Sequence, residues 1–145
     1  MLDKNWIAER IPHQGSMCLL EQVIDWNDER IVCQTGTHRQ PDNPMRLEGR
    51  LGAACGIEYA AQAMAVHGAL LADADTRPSK GYLTSVRDVE LLTVRLDNVA
   101  GDLHILAERL SGDDNMVLYR FTVATQDQQP LLRGRAAVVM DADRL

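Results

Sequence analysis

Gly52-Ala-Ala-Cys-Gly-Ile-Glu58-Tyr-Ala-Ala-Gln62-Ala-Met-Ala-Val-His67-Gly-Ala-Leu-Leu-Ala72 carries eight alanines and three glycines. Alanine is the strongest helix former, and side chains this small make a thin, apolar helix. Such a helix suits enclosure by a sheet better than a place on a surface. Glu58 is the one carboxylate in it. An acid in apolar surroundings is protonated, paired or put to chemical use. Gln62 follows one turn later on the same face, where it orients Glu58 or a substrate carbonyl, or makes a structural hydrogen bond. Upstream, a polar loop from His38 to Arg50, broken by Pro41, Pro44 and Gly49, brings a histidine into the same region. An acid and a histidine are the minimum for general acid–base chemistry.

Outward from this stretch, the chain reads as strand, strand, helix and four strands. Asp3–Arg10 is expected as a short helix capped by Asp3 and stopped by Pro12. Met17–Asp25 and Arg30–Gly36 are strand-like, with a turn at Asn27 and Asp28. After a polar turn over 73–79 closed by Pro78, the period changes to two. Gly81–Leu92, Asp102–Leu110, Met116–Thr125 and Leu131–Met140 read as strands of an antiparallel meander. The class is α+β: a curved sheet wrapped around one long helix. At 145 residues a single domain over 1–145 is expected.

Composition excludes several classes. The formal net charge is −6 with only two lysines, Lys4 and Lys80, so no basic stripe marks a nucleic-acid surface. The helix is long enough to span a bilayer, but Glu58, Gln62 and His67 interrupt it, and no membrane span is expected. Cys18, Cys33 and Cys55 form no C-x-x-C pair, and no signal-peptide pattern is visible, which points to a reducing cytoplasm and buried thiols. Metal-ligand spacings and phosphate-binding glycine loops are missing, so neither metal nor cofactor is expected.

Residues Ile11–Asp25 (IPHQGSMCLLEQVID) and Gly56–Ala63 (GIEYAAQA) resemble two segments of the β-hydroxyacyl-acyl-carrier-protein dehydratases of the hot-dog superfamily. The second holds that family's acid with a glutamine four residues on. His38-Arg-Gln-Pro-Asp-Asn-Pro44 resembles a degraded form of its histidine–proline loop. The closest texture is that of the bacterial group that includes dehydratases of aryl polyene pigment pathways. The resemblance implies a hot-dog fold, edge-to-edge dimers, and a site in which the histidine of one chain meets the helix acid of the other. Carried over, His38 would remove the α-proton and Glu58 would protonate the departing β-hydroxyl. Backbone N–H groups at Gly52 and Ala53 would polarise the thioester carbonyl. Glu58 would stay protonated in an alanine-lined tunnel, as a donor should. Two departures stand out. No glycine precedes His38 and no aromatic-Pro-Gly follows it, and the separation from Glu58 exceeds the usual one, so the loop must bulge.

His13 matches a family position that is not the catalytic histidine and reads as structural. His67, on the opposite helical face from Glu58, and His104, within a strand, are read as non-catalytic. Arg39, Arg46 and Arg50 crowd the loop and read either as solvated charge or as attraction for an acidic carrier protein or a phosphopantetheine phosphate. The expected reaction is dehydration of a β-hydroxyacyl thioester, on acyl carrier protein or coenzyme A, to the trans-2-enoyl thioester by a homodimer. Two alternatives remain open. One is hydrolysis of an acyl thioester by water that Glu58 activates. The other is a non-catalytic subunit paired with a second hot-dog protein.

Overall fold

The computed structural model describes residues 2–11, 13, 15–72, 82–113 and 115–140. The expected turn over 73–79, together with Pro12 and Asp114, lies outside them. Two helices, α1 (Lys4–Arg10) and α2 (Gly56–Leu71), accompany six strands: β1 (Gln22–Trp26), β2 (Arg30–Thr35), β3 (Tyr82–Leu91), β4 (Leu103–Gly112), β5 (Met116–Thr125) and β6 (Pro130–Val139). Asp3 caps α1 as expected, its carboxylate accepting from Trp6 N–H at 2.9 Å. The strands form one antiparallel sheet in the order β1-β2-β4-β5-β6-β3.

Helix α2 packs across β2, β4, β5 and β6. Tyr59, Ala60, Ala63, Met64 and Val66 are buried there against Ile31, Cys33, Ile105, Tyr119, Phe121 and Leu132. The small side chains let the backbones approach closely. At Gly56 an added Cβ would lie 2.5 Å from Leu132 Cδ2. This is the α+β, hot-dog arrangement expected of the sequence, with the sheet around a single long helix.

Two expectations are corrected. Only β4, β5 and β6 form a meander, because β3 joins the far side of β6 and becomes the outer strand at that edge. Alternation specifies a strand but not its neighbour, and Val86 and Val89 of β3 pack against the core from that position. Met17–Asp25 is not a continuous strand. Gly15–Met17 is a short 3-10 turn, Cys18, Leu19 and Leu20 are buried in irregular backbone, and β1 begins only at Gln22. Leu19 gives its N–H to the side chain of Gln62 at 2.9 Å, a partner on the helix in place of one on a strand. The β1 edge is partly covered by Leu2, which exchanges both backbone hydrogen bonds with Val23.

Candidate active site

Glu58 lies on the first turn of α2, where the ionised carboxylate also interacts favourably with the helix N-terminus. Its side chain is 31% exposed, less enclosed than the sequence suggests, and His13 against it is 26% exposed. His13 Nε2 is 2.9 Å from Glu58 Oε1. Gln62 Nε2 donates to the same oxygen at 3.3 Å. Both donors therefore converge on Oε1. No hydrogen bond to Oε2 occurs among the described residues, and the side chain as a whole is partly exposed.

The hydrogen bond with His13 pulls the Glu58 carboxyl below its ordinary range, with Gln62 acting in the same direction against the opposing effect of burial. This corrects the expectation of a protonated acid in an apolar tunnel: the resting group is a carboxylate. Gln62 is itself fully buried, donating to the Met17 carbonyl at 2.7 Å while accepting from Leu19 N–H. It clamps the 17–19 segment to the helix, and that segment continues directly from the chain carrying His13.

His38 is expected to meet the Glu58 of a second chain, and within its own protomer it has other partners. It is fully buried in a 3-10 turn, with Nε2 3.0 Å from the Val99 carbonyl. Burial holds its imidazole below the usual histidine range, against the Val99 carbonyl, which favours the charged form. The turn is tied down on every side. Thr37 Oγ1 is 2.9 Å from Tyr59 Oη, and Asn43 Nδ2 donates to Tyr59 Oη and to the Thr37 carbonyl. Within the protomer, among the described residues, no hydrogen bond or ion pair joins His38 to Glu58. The histidine that meets Glu58 within the protomer is His13, read from sequence as structural. The one sequence signal for it was its place in the segment that carries the family resemblance.

The helix start is also partly committed. Ala53 N–H donates to the Val94 carbonyl at 3.1 Å, so it is not free for a thioester oxygen, contrary to expectation. Gly52 pairs with Arg95 in an isolated bridge whose hydrogen bonds run through the flanking residues, Ala53 to Val94 and Leu96 to Leu51. That pattern leaves the N–H of the exposed Gly52 unused by the bridge. Of the three loop arginines, Arg39 is paired with Asp102 at 2.8 Å, and Arg46 donates to the carbonyls of His38 and Gly49. These two brace the loop. Arg50 is exposed, with no side-chain partner among the described residues.

The remaining candidates are structural. His67 is buried between Tyr119 Oη and the Asn27 carbonyl, each 2.7 Å from a ring nitrogen. His104 faces Gln128 on the sheet. Cys18 and Cys33 are buried and Cys55 half-buried, and desolvation raises all three thiols, Cys33 to about 12, so none is an activated nucleophile. Among the described residues, no group of three or more His, Cys, Asp or Glu side chains stands together as metal ligands, and no helix is long and apolar enough to cross a membrane.

Three of the solved structures to which this chain is similar illustrate the likeness. The first is the dehydratase heterocomplex ApeI:P from Xenorhabdus doucetiae, 23% identical, with 99% of this chain and 94% of that chain covered at a TM-score of 0.85. A mutant thioesterase from Pseudomonas aeruginosa is 16% identical over 81% of this chain and 80% of that chain, at a TM-score of 0.56. A hypothetical thioesterase with coenzyme A from Streptococcus pneumoniae is 12% identical over 81% of this chain and 83% of that chain, at a TM-score of 0.58. At these identities the likenesses show the fold. Among curated proteins none matches. The family model described as ApeP dehydratase matches residues 6–144, and on that match the chain belongs to the ApeP-like dehydratase family.

Proposed function

We propose that this chain dehydrates a β-hydroxyacyl thioester to the trans-2-enoyl thioester, with Glu58 as its proton-transfer group. One observation carries the reading: among the described residues, the donors that reach the partly exposed Glu58 carboxylate, His13 and Gln62, both engage Oε1 and none engages Oε2. A carboxylate so held takes the α-proton on Oε2. The C2–H electron pair becomes the C2=C3 bond as the C3–O bond breaks, and the leaving hydroxyl takes the proton from Oε2 and departs as water. Glu58 returns to its starting state, and no net proton is exchanged with solvent. His13 stabilises the resting carboxylate and fixes its direction. The N–H of Gly52 remains as a donor for the thioester carbonyl, where negative charge develops in the transition state. His38 receives no substrate contact in this account, because its ring is buried in its own protomer. The carrier of the thioester is acyl carrier protein or coenzyme A.

The outer edge of β3 has no strand paired to it among the described residues, and Leu91 at its end and Leu92 and Val94 just after it are exposed, Val94 at 77%. An unpaired edge bordered by apolar side chains is a template for pairing with another chain. A homodimer through this edge is the simplest assembly. A heteromer is the second reading, favoured by the partly exposed Glu58 side chain and by the similar ApeI:P structure, which is a heterocomplex. In that case a second hot-dog chain supplies another acid–base group.

The test is mass analysis of a β-hydroxyacyl thioester incubated with the purified chain. Loss of one water supports the dehydratase reading. Release of free acid moves the assignment to thioester hydrolysis by Glu58-activated water, the chemistry of the thioesterases that share the fold. Water loss only after a second hot-dog subunit is added supports the heteromer.

A further inference from the structure

Gly52 is a glycine that the protomer itself does not require. Its φ of −65° and ψ of 153° are open to any residue, and a Cβ added there would meet nothing within 4 Å. Space kept clear beside an unpaired N–H on an exposed residue suits the close approach of another molecule. On either side the chain is fastened to the 94–97 segment. Ala53 N–H donates to the Val94 carbonyl at 3.1 Å, and the Leu51 carbonyl accepts from Leu96 N–H at 2.7 Å. The N–H of the buried Leu51 donates to Asp97 Oδ1 at 2.9 Å. Asp97 is itself nearly enclosed, its side chain 7% exposed, and Arg95 braces it. Arg95 Nε donates to Oδ1 at 2.9 Å and to Oδ2 at 3.1 Å, and Nη2 donates to Oδ2 as well. Such fork-to-carboxylate pairing fixes orientation. It also holds the Asp97 carboxyl well below the usual carboxylate range, so both oxygens remain acceptors. We infer that Asp97 is a positioning residue that acts through Gly52: with Arg95 behind it, its carboxylate holds Leu51 so that, of residues 51–53, Gly52 alone presents a free N–H.

The geometry is that of a non-hydrogen-bonded antiparallel pair. Gly52 stands opposite Arg95 and the bonds run through the residues on either side, so both backbone groups of Gly52 turn away from the 94–97 segment. Its carbonyl accepts from Cys55 N–H at 3.0 Å, and its N–H has no partner among the described residues. Loss of the Asp97 carboxylate would strand the buried Leu51 N–H and loosen the backbone just before Gly52. The inference rests on the reading of Gly52 as a donor to the thioester carbonyl, and adds the residue that places that donor. The oxygen gains charge in the transition state, so the loss should appear in kcat more than in KM.

The test uses the full-length chain. Asp97→Leu should lower kcat for a β-hydroxyacyl thioester by up to about 100-fold with KM little changed. Asp97→Asn keeps an acceptor for Leu51 N–H and should retain most of kcat, although it weakens the pairing with Arg95 and should lower Tm as leucine does. By NMR, a saturated acyl-coenzyme A, a thioester without a β-hydroxyl, should shift the Gly52 amide proton in the unsubstituted chain and in Asp97→Asn. The Leu51 and Ala53 amide protons should stay nearly in place. Unchanged kcat in a folded Asp97→Leu, an equal loss in both variants, or a Gly52 amide that the thioester leaves unmoved overturns the inference. If Asp97→Leu fails to fold, a large loss of kcat in Asp97→Asn or a silent Gly52 amide still overturns it. If no thioester is dehydrated while the Gly52 amide shifts, the reading of function fails and the placement of the donor stands, so the two failures are distinguishable.

Discussion

Replacing His13 and His38 in turn by leucine separates the histidine that serves Glu58 from the one that serves the fold. His13→Leu removes one of two donors from Oε1 of Glu58. A hydrogen bond to a charged group contributes about 1.5–3 kcal/mol, and if the transition state realises it in full, kcat/KM falls roughly 10- to 150-fold. Stability should change little. The pair is a quarter to a third exposed, and exposed ion pairs contribute about 1 kcal/mol or less, so Tm should move by no more than about 2–4 °C. His38→Leu reverses the pattern. It leaves the buried Val99 carbonyl without its partner at 3.0 Å, which costs about 1–3 kcal/mol, while the Glu58 cluster is untouched. The assays are steady-state turnover of a β-hydroxyacyl thioester and thermal unfolding of the same preparations. Full activity in His13→Leu, together with loss of activity in a stably folded His38→Leu, would refute this account and restore His38 as the catalytic base.

Three further perturbations test other parts of the structure. Burial lowers the pKa of both His38 and His67 in the folded state, so the unfolded chain binds protons first as pH falls. Stability from these groups is complete above the ordinary histidine value of about 6.5 and is lost as pH drops below it; a Tm no lower at pH about 5.5 than at pH about 7.5 would contradict this. Gly56→Ala would place a methyl 2.5 Å from Leu132 Cδ2 in the core and should cost about 1–3 kcal/mol in a urea titration, a loss that Leu132→Ala in the same chain should partly relieve. Val94→Asp, at an exposed site beside the β3 edge, should weaken self-association without lowering the stability of the protomer. Light scattering that shows an undiminished dimer would move the interface elsewhere.

The helix was legible because its composition leaves few alternatives: alanines, glycines and a single acid give an apolar rod that only a surrounding sheet can bury. Alternation located the later strands to within a few residues, since period-2 patterning reflects one buried face. The position of β3 beyond β6 was not legible, because alternation carries no information about a strand's neighbour. The contact of His13 with Glu58 was missed for a related reason. His13 precedes a segment whose course is set by Gln62 holding Leu19 and Met17, a contact between distant positions that composition does not encode. The burial of His38 was not legible because its loop is polar. Those polar side chains instead satisfy one another inside the protein, through Thr37, Asn43 and Tyr59. Ala53 was expected to offer a free N–H because it opens the helix, and Val94 from the β3–β4 connection takes it.

The most direct test of the central claim is turnover by Glu58→Gln, which keeps the shape of the side chain and removes its ability to accept the α-proton. The account predicts a folded protein whose incubation with a β-hydroxyacyl thioester gives no loss of water, under conditions in which the unsubstituted chain converts it. Dehydration by Glu58→Gln at the unsubstituted rate would contradict it and place the proton-transfer group elsewhere.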